Sequence, residues 1–270
     1  MADAGRRRFK VLALDVDGTL VDRSLEITPR NLVALQRARE AGVRLVLATG
    51  RMFRSAMRYV EAIGSDAPLI CYQGAVVRAR DGELLREWPV SPASAVAAVR
   101  FSREHNLHVN LYRDDEFYVE QEGWGARRYA EVAQLEPRVV PDLMDLARQG
   151  STKVVFVDQP ERLRELEADV TAALAPGGAR TTFSMPEFLE AVDREVSKGT
   201  ALGFVCERLG VGPEEVIAAG DAPNDAEMFA WAGFAVAPRD AHPDVLAVAG
   251  AVIAPPGEDG IAELVERYID

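Results

Sequence analysis

The chain has 270 residues, of which 48% are hydrophobic and 27% are charged, and its formal net charge at pH 7 is −12. These proportions are typical of a folded protein and exclude disordered and fibrous classes, and the length is sufficient for two modest domains. The negative charge argues against nucleic acids and acidic membrane surfaces as partners, because affinity for phosphate groups comes from lysine and arginine.

The chain opens with a predicted strand, helix and strand. The apolar run FKVLALD, residues 9–15, is too short for a typical helix and predicts a strand buried on both faces. A helix follows, with Thr28 as its N-cap, Pro29 in its first turn and Gly42 at its end. The segment VRLVLATG, residues 43–50, predicts a second buried strand. This order indicates a parallel sheet with a right-handed crossover.

The middle of the chain has a different pattern. SPASAVAAVRFSREHN predicts a helix, and HVNLYRDDEFYVE predicts a hairpin, because two alternating runs flank a polar turn. KVVFVD and ARTTFSM predict further strands, and PERLRELEADVTAAL predicts a helix between them. Residues 88–187 are therefore expected to form an α+β insert.

The parallel pattern returns after the insert. SKGTALGFVCERLG predicts a helix, EVIAAGD a strand that ends at Asp221, NDAEMFAWAG a helix, and FAVA and AVIA two short strands. We therefore predict an α/β fold. Its core is a doubly wound, Rossmann-like parallel sheet built from residues 1–87 and 188–270, with the α+β domain at 88–187 inserted between these parts.

Targeting and redox signals are few. No apolar run approaches the roughly 18 residues of a membrane span, and the first residues, MADAGRRRFK, lack the apolar segment of a secretory signal. The run Arg6, Arg7 and Arg8 predicts a solvated arm. Cys71 and Cys206 have no metal-like spacing and cannot form a disulfide scaffold, so we expect thiols in a reducing cytoplasm.

Two aspartates one residue apart follow the first strand, in LALDVDGTLVD. In a dry site Asp15 and Asp17 would each raise the pKa of the other and lose solvation. The pair is explained if a cation lies between the carboxyl groups or if they have different roles. Thr49 and Asp221 also lie at predicted strand ends, where open parallel sheets bind ligands, although loops begin at such ends as well.

Four motifs occur in the order DVDGTL, LATGR, SKGTAL and GDAPNDAEM. In this order they resemble the motifs of the haloacid dehalogenase superfamily of phosphatases. YQGAVV, the long insert and EDGIAELVE resemble its Cof-type branch, in which a large (C2-type) cap domain lies between motifs two and three. The resemblance covers almost the whole chain and implies that residues 88–187 are the cap.

The resemblance implies different roles for the two aspartates. Asp15 matches the nucleophile, whose carboxylate attacks phosphorus to give an aspartyl-phosphate. Asp17 matches the general acid and base, which protonates the leaving oxygen and then takes a proton from water. One charged and one protonated carboxyl is a natural state for such a coupled pair. Gly18 and Thr19 are expected to shape the turn after the nucleophile.

The cofactor that the resemblance implies is Mg²⁺, a hard cation that prefers oxygen ligands. By the family pattern, its ligands are Asp15, the main-chain carbonyl of Asp17 and Asp221, with support from Asn224 and Asp225. The last two residues could instead form a helix cap with an acid in the first turn, where the helix dipole favours it. The two roles are compatible.

Further matches imply a phosphate-binding set. Thr49 matches the hydroxyl that binds the phosphoryl group, and Gly50 lets the backbone approach it. Lys198 matches the motif-three lysine, which offsets the carboxylates and holds phosphoryl oxygens. A purely structural lysine would be poorly placed in a first helical turn, where it opposes the dipole. Arg51 either contacts the substrate or is a surface arginine on a first helical turn.

The chain departs from the family pattern in two places. Gln73 stands where the family usually has asparagine, which is expected to alter contacts beneath the cap. APRDA at 237–241 stands where the family has AMGNA, so that Asp240 replaces an amide near the site. Neither is a catalytic position.

The sequence thus predicts a magnesium-dependent phosphomonoester hydrolase that acts on a small phosphorylated metabolite, such as a sugar phosphate. Two alternatives stay open: a phosphomutase that uses the same intermediate, and a non-catalytic phosphometabolite-binding module. The intact nucleophile and acid argue against the second. The cap is expected to be a mobile lid that selects the substrate, because the five proposed catalytic side chains lie outside it. No motif identifies the substrate or the oligomeric state.

Overall fold

The computed structural model describes residues 9–270, and the arm predicted at residues 6–8 lies outside them. The described chain forms two compact units. The first unit contains the described residues up to Thr49, Ala56–Leu85 and Ser197–Asp270. The second unit contains Gly50–Ser55 and Arg86–Val196.

Helices and strands are numbered in chain order. Up to residue 90 they are β1 (Val11–Leu14), α1 (Pro29–Glu40), β2 (Arg44–Leu47), α2 (Phe53–Ile63), β3 (Leu69–Cys71), β4 (Val76–Arg78) and β5 (Leu84–Glu87). Between residues 90 and 196 they are α3 (Pro92–His105), β6 (His108–Arg113), β7 (Glu116–Val119), α4 (Trp124–Ala133), β8 (Arg138–Val139), α5 (Met144–Ala147), β9 (Val154–Val157), α6 (Pro160–Leu174), β10 (Ala179–Met185) and β11 (Phe188–Asp193). After residue 196 they are α7 (Lys198–Leu209), β12 (Val216–Ala219), α8 (Ala226–Trp231), β13 (Phe234–Pro238), α9 (Pro243–Leu246), β14 (Ala251–Ile253) and α10 (Gly260–Tyr268).

The first unit is built on a parallel sheet. Within residues 9–270 this sheet has five strands in the order β14-β13-β12-β1-β2, and every neighbouring pair is parallel. All four residues of β1 are buried, as expected for a strand covered on both faces. Helix α1 packs against α10, and α7 packs against α8. The predicted α/β fold with a doubly wound parallel core is confirmed.

Helix α1 begins at the predicted N-cap, and α7 ends at the glycine of the predicted segment. The Thr28 hydroxyl accepts a hydrogen bond from the backbone N–H of Asn31 at 3.2 Å, which caps α1. Ser197 caps α7 in the same way, with 3.0 Å from its Oγ to the N–H of Thr200. Gly210 ends α7 in a left-handed conformation. The Ser197 cap fixes the first turn of α7.

The second unit contains a mixed sheet with the order β10-β11-β9-β6-β7-β8. Its pairs are antiparallel except for β7 with β8. The predicted hairpin is confirmed: β6 and β7 are joined by Asp114 and Asp115, both with positive φ, as a two-residue type I′ turn requires. Helices α3 and α6 pack together, and Phe101, Phe156 and Leu189 belong to a core cluster of this unit.

The limits of the insert differ from the predicted ones. Strand β11 pairs with both β9 and β10, so it belongs to the second unit, whereas the sequence assigns residues from 188 onward to the core. Its first five residues are buried, which is the character of a central strand. Gly50–Ser55 also groups with the second unit, although first-unit residues flank it in the sequence.

Two further observations concern the sequence signals for membranes and disulfides. Within residues 9–270, none of the helices combines the length and the apolar character that crossing a bilayer requires. Cys71 and Cys206 are both buried thiols.

Candidate active site

Three neighbouring strands of the first unit end next to predicted site residues. Asp15 follows β1 directly, and its backbone N–H donates to the carbonyl oxygen of Ala219 at 2.9 Å. Thr49 lies two residues after β2 and is fully buried. Asp221 lies two residues after β12. Because these strands are parallel and adjacent, the three residues lie at one edge of the sheet.

A buried lysine joins two carboxylates at this edge. Lys198 is the first residue of α7, and its Nζ donates to Oδ1 of Asp15 at 2.6 Å and to Oδ1 of Asp225 at 2.7 Å. The Lys198 side chain is 1% exposed, and those of Asp15 and Asp225 are 6% and 0% exposed. A buried ammonium requires such partners, because its hydration is lost.

Asp225 also organises the loop that carries Asp221. Its Oδ2 accepts hydrogen bonds from the backbone N–H groups of Asp221 at 3.0 Å and of Ala222 at 3.1 Å. The residue therefore closes the turn before α8 and at the same time binds Lys198.

The acidic groups meet in one cluster. Oxygen atoms of Asp15, Asp221 and Asp225 lie within 4.8 Å of one another. The Thr19 hydroxyl donates to Oδ1 of Asp221 at 3.0 Å, a contact that the motif did not predict, since it indicated only that Thr19 shapes the turn. A donor set made of oxygen atoms fits a hard cation such as Mg²⁺.

Burial and crowding shift the acid–base properties of the cluster. Burial raises the pKa of Asp15 well above its ordinary value, and neighbouring carboxylates add to this although Lys198 opposes it. Burial also raises the pKa of Asp221 to about 6, with a further contribution from Asp225. Burial alone would lower the pKa of Lys198, but the carboxylates of Asp15 and Asp225 raise it above the usual value. The cluster therefore favours added positive charge.

Gly18 lets the first motif approach Asp221. Its φ is +87°, in the left-handed region, and a Cβ at this position would lie 2.3 Å from Oδ2 of Asp221. No side chain can occupy that space without displacing the carboxylate.

Gln73 and Asn224 form a contact between two loops of the first unit. Nδ2 of Asn224 donates to Oε1 of Gln73 at 2.8 Å, and the backbone N–H of Gln73 donates to the carbonyl oxygen of Thr49 at 3.1 Å. Among the described residues, the buried atoms Oδ1 of Asn224 and Nε2 of Gln73 have no hydrogen-bond partner. The sequence predicted changed contacts beneath the cap at Gln73, whereas these hydrogen bonds reach motifs two and four.

Two of the predicted site residues, Gly50 and Arg51, group with the second unit. Arg51 groups with the second unit and is 7% exposed, and its Nη1 donates to Ser55 Oγ and to the Val132 carbonyl oxygen, both at 3.3 Å. The alternative of a surface arginine on a first helical turn is therefore wrong, since Arg51 is buried and α2 begins only at residue 53. The carbonyl oxygen of Gly50 accepts a hydrogen bond from Nζ of Lys153 at 3.0 Å.

Two acids have less buried positions. Asp17 is half-buried and forms an isolated bridge with Val21. Asp240, which replaces an amide of the family pattern, is exposed.

Comparison with known proteins places these features in context. A sequence model of the haloacid dehalogenase-like hydrolases matches residues 12–265. The pyridoxal phosphate phosphatase YbhA of Escherichia coli strain K12 is 29% identical over 268 residues, which cover 96% of this chain and 98% of that protein. The HMP-PP phosphatase of Cronobacter sakazakii is 29% identical over 243 residues, which cover 87% and 86% of the two chains.

Solved structures show the same similarity over nearly the whole length. A crystal structure of a Thermotoga maritima protein gives a TM-score of 0.84 at 30% identity and covers 96% of this chain and 97% of that chain. A haloacid dehalogenase-like hydrolase from Bacteroides thetaiotaomicron gives a TM-score of 0.86 at 28% identity, with 96% and 99% covered.

Proposed function

Because the chain belongs to the haloacid dehalogenase-like hydrolases and is a phosphatase of the Cof type, we propose that it hydrolyses phosphomonoesters with Mg²⁺ through a phosphoryl group carried on Asp15. One observation carries this proposal. The ammonium of Lys198 lies 2.6 Å from Asp15 and 2.7 Å from Asp225, inside a cluster of carboxylates at the carboxyl edge of the sheet.

The proposed reaction has two steps. A carboxylate oxygen of Asp15 attacks phosphorus, the bond from phosphorus to the ester oxygen breaks, and Asp17 gives that oxygen its proton. In the second step Asp17 takes a proton from water, the water oxygen attacks phosphorus, and the bond to Asp15 breaks. Inorganic phosphate leaves, and both aspartates return to their starting states.

Lys198 and Thr49 prepare the first step in this proposal. By holding Oδ1 of Asp15, Lys198 restricts the rotation of the carboxylate and so orients the attacking group. Its charge also opposes repulsion between the cluster and a phosphate dianion. Thr49 lies at the neighbouring strand end, where we propose that its hydroxyl binds a phosphoryl oxygen.

The residues of the cluster fit Mg²⁺. Asp15, Asp221 and the main-chain carbonyl of Asp17 would hold the cation, and Asn224 and Asp225 would support it. When ionised, the three clustered carboxylates and one ammonium have a net charge of −2, which one Mg²⁺ would balance. The buried carboxamide oxygen of Asn224, which has no partner in the described chain, is a further donor of the right kind. When bound, Mg²⁺ supplies positive charge that stabilises the phosphoryl oxygens during transfer.

We propose a small phosphorylated metabolite as the substrate. The test is phosphate release by purified protein from a panel that includes pyridoxal phosphate, HMP-PP and several sugar phosphates, with Mg²⁺ and with a chelator. We expect at least one ester to be hydrolysed with Mg²⁺ and none with the chelator. No release from any ester, or undiminished release without metal, would contradict the proposal.

The same panel separates the two alternatives. A phosphomutase would convert an ester into an isomeric ester with little free phosphate, which analysis of the products detects. A binding module would bind an ester without changing it. We expect free phosphate and the dephosphorylated alcohol in equal amounts.

A further inference from the structure

One buried side chain joins two loops of the proposed site. Gln73 follows β3 and is 4% exposed. Its backbone N–H is bound to the carbonyl oxygen of Thr49, and its side-chain oxygen is bound to Nδ2 of Asn224 at 2.8 Å. Gln73 therefore connects the loop after β2 with the loop that follows β12.

The hydrogen bond with Gln73 fixes the orientation of the Asn224 carboxamide. A carboxamide offers an acceptor oxygen and a donor nitrogen on the same carbon. Since Gln73 Oε1 accepts from the nitrogen, the oxygen Oδ1 remains for another partner. Oδ1 is buried and has no hydrogen-bond partner among the described residues. A hard cation, or water bound to it, is attracted by such an oxygen and not by an N–H group.

The backbone at Gln73 is unusual for its residue type. Its φ is +60°, and that of Tyr72 is +54°, both in the left-handed region that costs a residue with a Cβ about 1–2 kcal/mol. Such conformations persist where the surroundings hold them, and they concentrate at functional sites. Here the turn places the side-chain oxygen of Gln73 against Nδ2 of Asn224.

We propose that Gln73 is a positioning residue for the cation site. By binding Nδ2 of Asn224, it fixes Oδ1 as the end of the carboxamide that serves the cation held by Asp15 and Asp221. This inference rests on the proposed function in that it assumes a cation at the acidic cluster.

Substitutions at Gln73 separate orientation from packing. Gln73→Met keeps the length of the side chain and removes the acceptor, so that the Asn224 amide is free to rotate. Gln73→Glu keeps an acceptor oxygen for Nδ2 and should restore the orientation. Asn31→Leu is the matched control, because Asn31 is a fully buried amide of the same unit that binds Pro256 and Ala262 and no residue of the cluster.

The measurement is the binding of Mn²⁺, used as a paramagnetic substitute for Mg²⁺, by electron paramagnetic resonance without substrate. We expect the dissociation constant for Mn²⁺ to rise about 10-fold in Gln73→Met, as is typical when a residue that orients a metal ligand is removed. In Gln73→Glu and Asn31→Leu, the dissociation constant for Mn²⁺ should rise by no more than about 2-fold. Thermal unfolding should show that Asn31→Leu loses stability without losing affinity.

Each outcome has a distinct meaning. Unchanged affinity in Gln73→Met would overturn the inference and leave the proposed function intact. Equal losses in Gln73→Met and Asn31→Leu would also overturn it, because reduced stability would then explain both. Wild-type protein that binds no Mn²⁺ would overturn the inference together with the metal dependence of the proposed function. Wild-type protein that binds Mn²⁺ but hydrolyses no ester would contradict the function alone.

Discussion

Lys198 and Asp15 lie 183 positions apart in the sequence, yet Nζ of the lysine is 2.6 Å from Oδ1 of the aspartate. Both side chains are almost completely buried, so each charged group has lost its hydration and is stabilised by the opposite charge of the other. The contact joins the end of β1 to the first turn of α7. A carboxylate held in this way is oriented before any substrate arrives, which is a favourable starting point for a nucleophile.

Asp15→Asn should abolish turnover and preserve the fold. An amide cannot form the acyl phosphate, so we expect phosphate release to fall by a factor on the order of 10⁴ or more. The amide oxygen can still accept from Lys198, which also keeps its bond to Asp225. Phosphate release and circular dichroism provide the measurement. A folded variant with near wild-type activity would exclude Asp15 as the nucleophile.

Gly18→Ala should damage the site, whereas Gly42→Ala should not. Both glycines have φ +87°, so both substitutions carry a similar backbone cost of about 1 kcal/mol. A Cβ on Gly18 would lie 2.3 Å from Oδ2 of Asp221, while a Cβ on Gly42 meets no atom within 4 Å.

We therefore expect a larger loss of thermal stability in Gly18→Ala than in Gly42→Ala, because the clash with Asp221 adds to the shared backbone cost. We also expect a loss of activity on the order of 10²-fold in Gly18→Ala alone, from displacement of Asp221. The measurements are thermal unfolding and the rate of phosphate release at saturating Mg²⁺. Wild-type activity in Gly18→Ala would show that the position of Asp221 is not critical.

The elements of the core could be predicted because their signals are local. A parallel strand covered on both faces is a continuous apolar run, as in β1, and Thr28 marks the start of α1 while Gly210 marks the end of α7. The sequence analysis did not assign β11 to the insert, because its place depends on pairing with β9 and β10. No local sequence pattern indicates that pairing.

The same limit applies to the site. The four motifs identify Asp15, Lys198 and Asp221 through local patterns. The contact between Thr19 and Asp221 joins positions 202 apart, and that between Gln73 and Asn224 joins positions 151 apart. No short pattern contains such a pair, so the partners become visible only when the strands are assembled.

Mg²⁺ should raise the thermal midpoint of the wild-type protein more than that of Asp221→Asn. A ligand that binds only the folded state stabilises it by about 2.7 kcal/mol at 100 times its dissociation constant. Without metal, the charge of Asp221 lowers the stability of the folded protein. Because the folded-state pKa of Asp221 is raised to about 6, its ionisation at pH 7.5 opposes folding. A neutral amide at this position should therefore be at least as stable.

The measurement is thermal unfolding of both proteins at pH 7.5, with a chelator and with saturating Mg²⁺. We expect Asp221→Asn to match or exceed the wild-type midpoint in chelator and to gain less from Mg²⁺. Equal gains in the two proteins would exclude Asp221 as a ligand.

Cys206 should resist alkylation in the folded protein. Burial raises the pKa of its thiol to about 12, so the reactive thiolate is on the order of 10⁻⁴ of the total at pH 8. Iodoacetamide at pH 8 should label Cys206 only after denaturant is added, as peptide mass spectrometry would show. Rapid labelling of Cys206 in the native protein would contradict its burial.

The last prediction is that the second unit selects the substrate while the first supplies the chemistry. The side chains of Asp15, Lys198 and Asp221 all belong to the first unit, and the second has its own sheet and apolar core. A unit with its own core can vary without disturbing the catalytic groups.

Replacing Arg86–Val196 with a short flexible linker should therefore reduce discrimination among phosphoesters more than it reduces hydrolysis of p-nitrophenyl phosphate, a small activated ester that needs little recognition. The measurement is kcat/KM for several esters in the full chain and in the shortened chain, after circular dichroism has shown that the shortened chain is folded. We expect the ratios between esters to move toward one. If the ratios stay as they are in the full chain, the first unit selects the substrate, because it would then contain every group that distinguishes one ester from another.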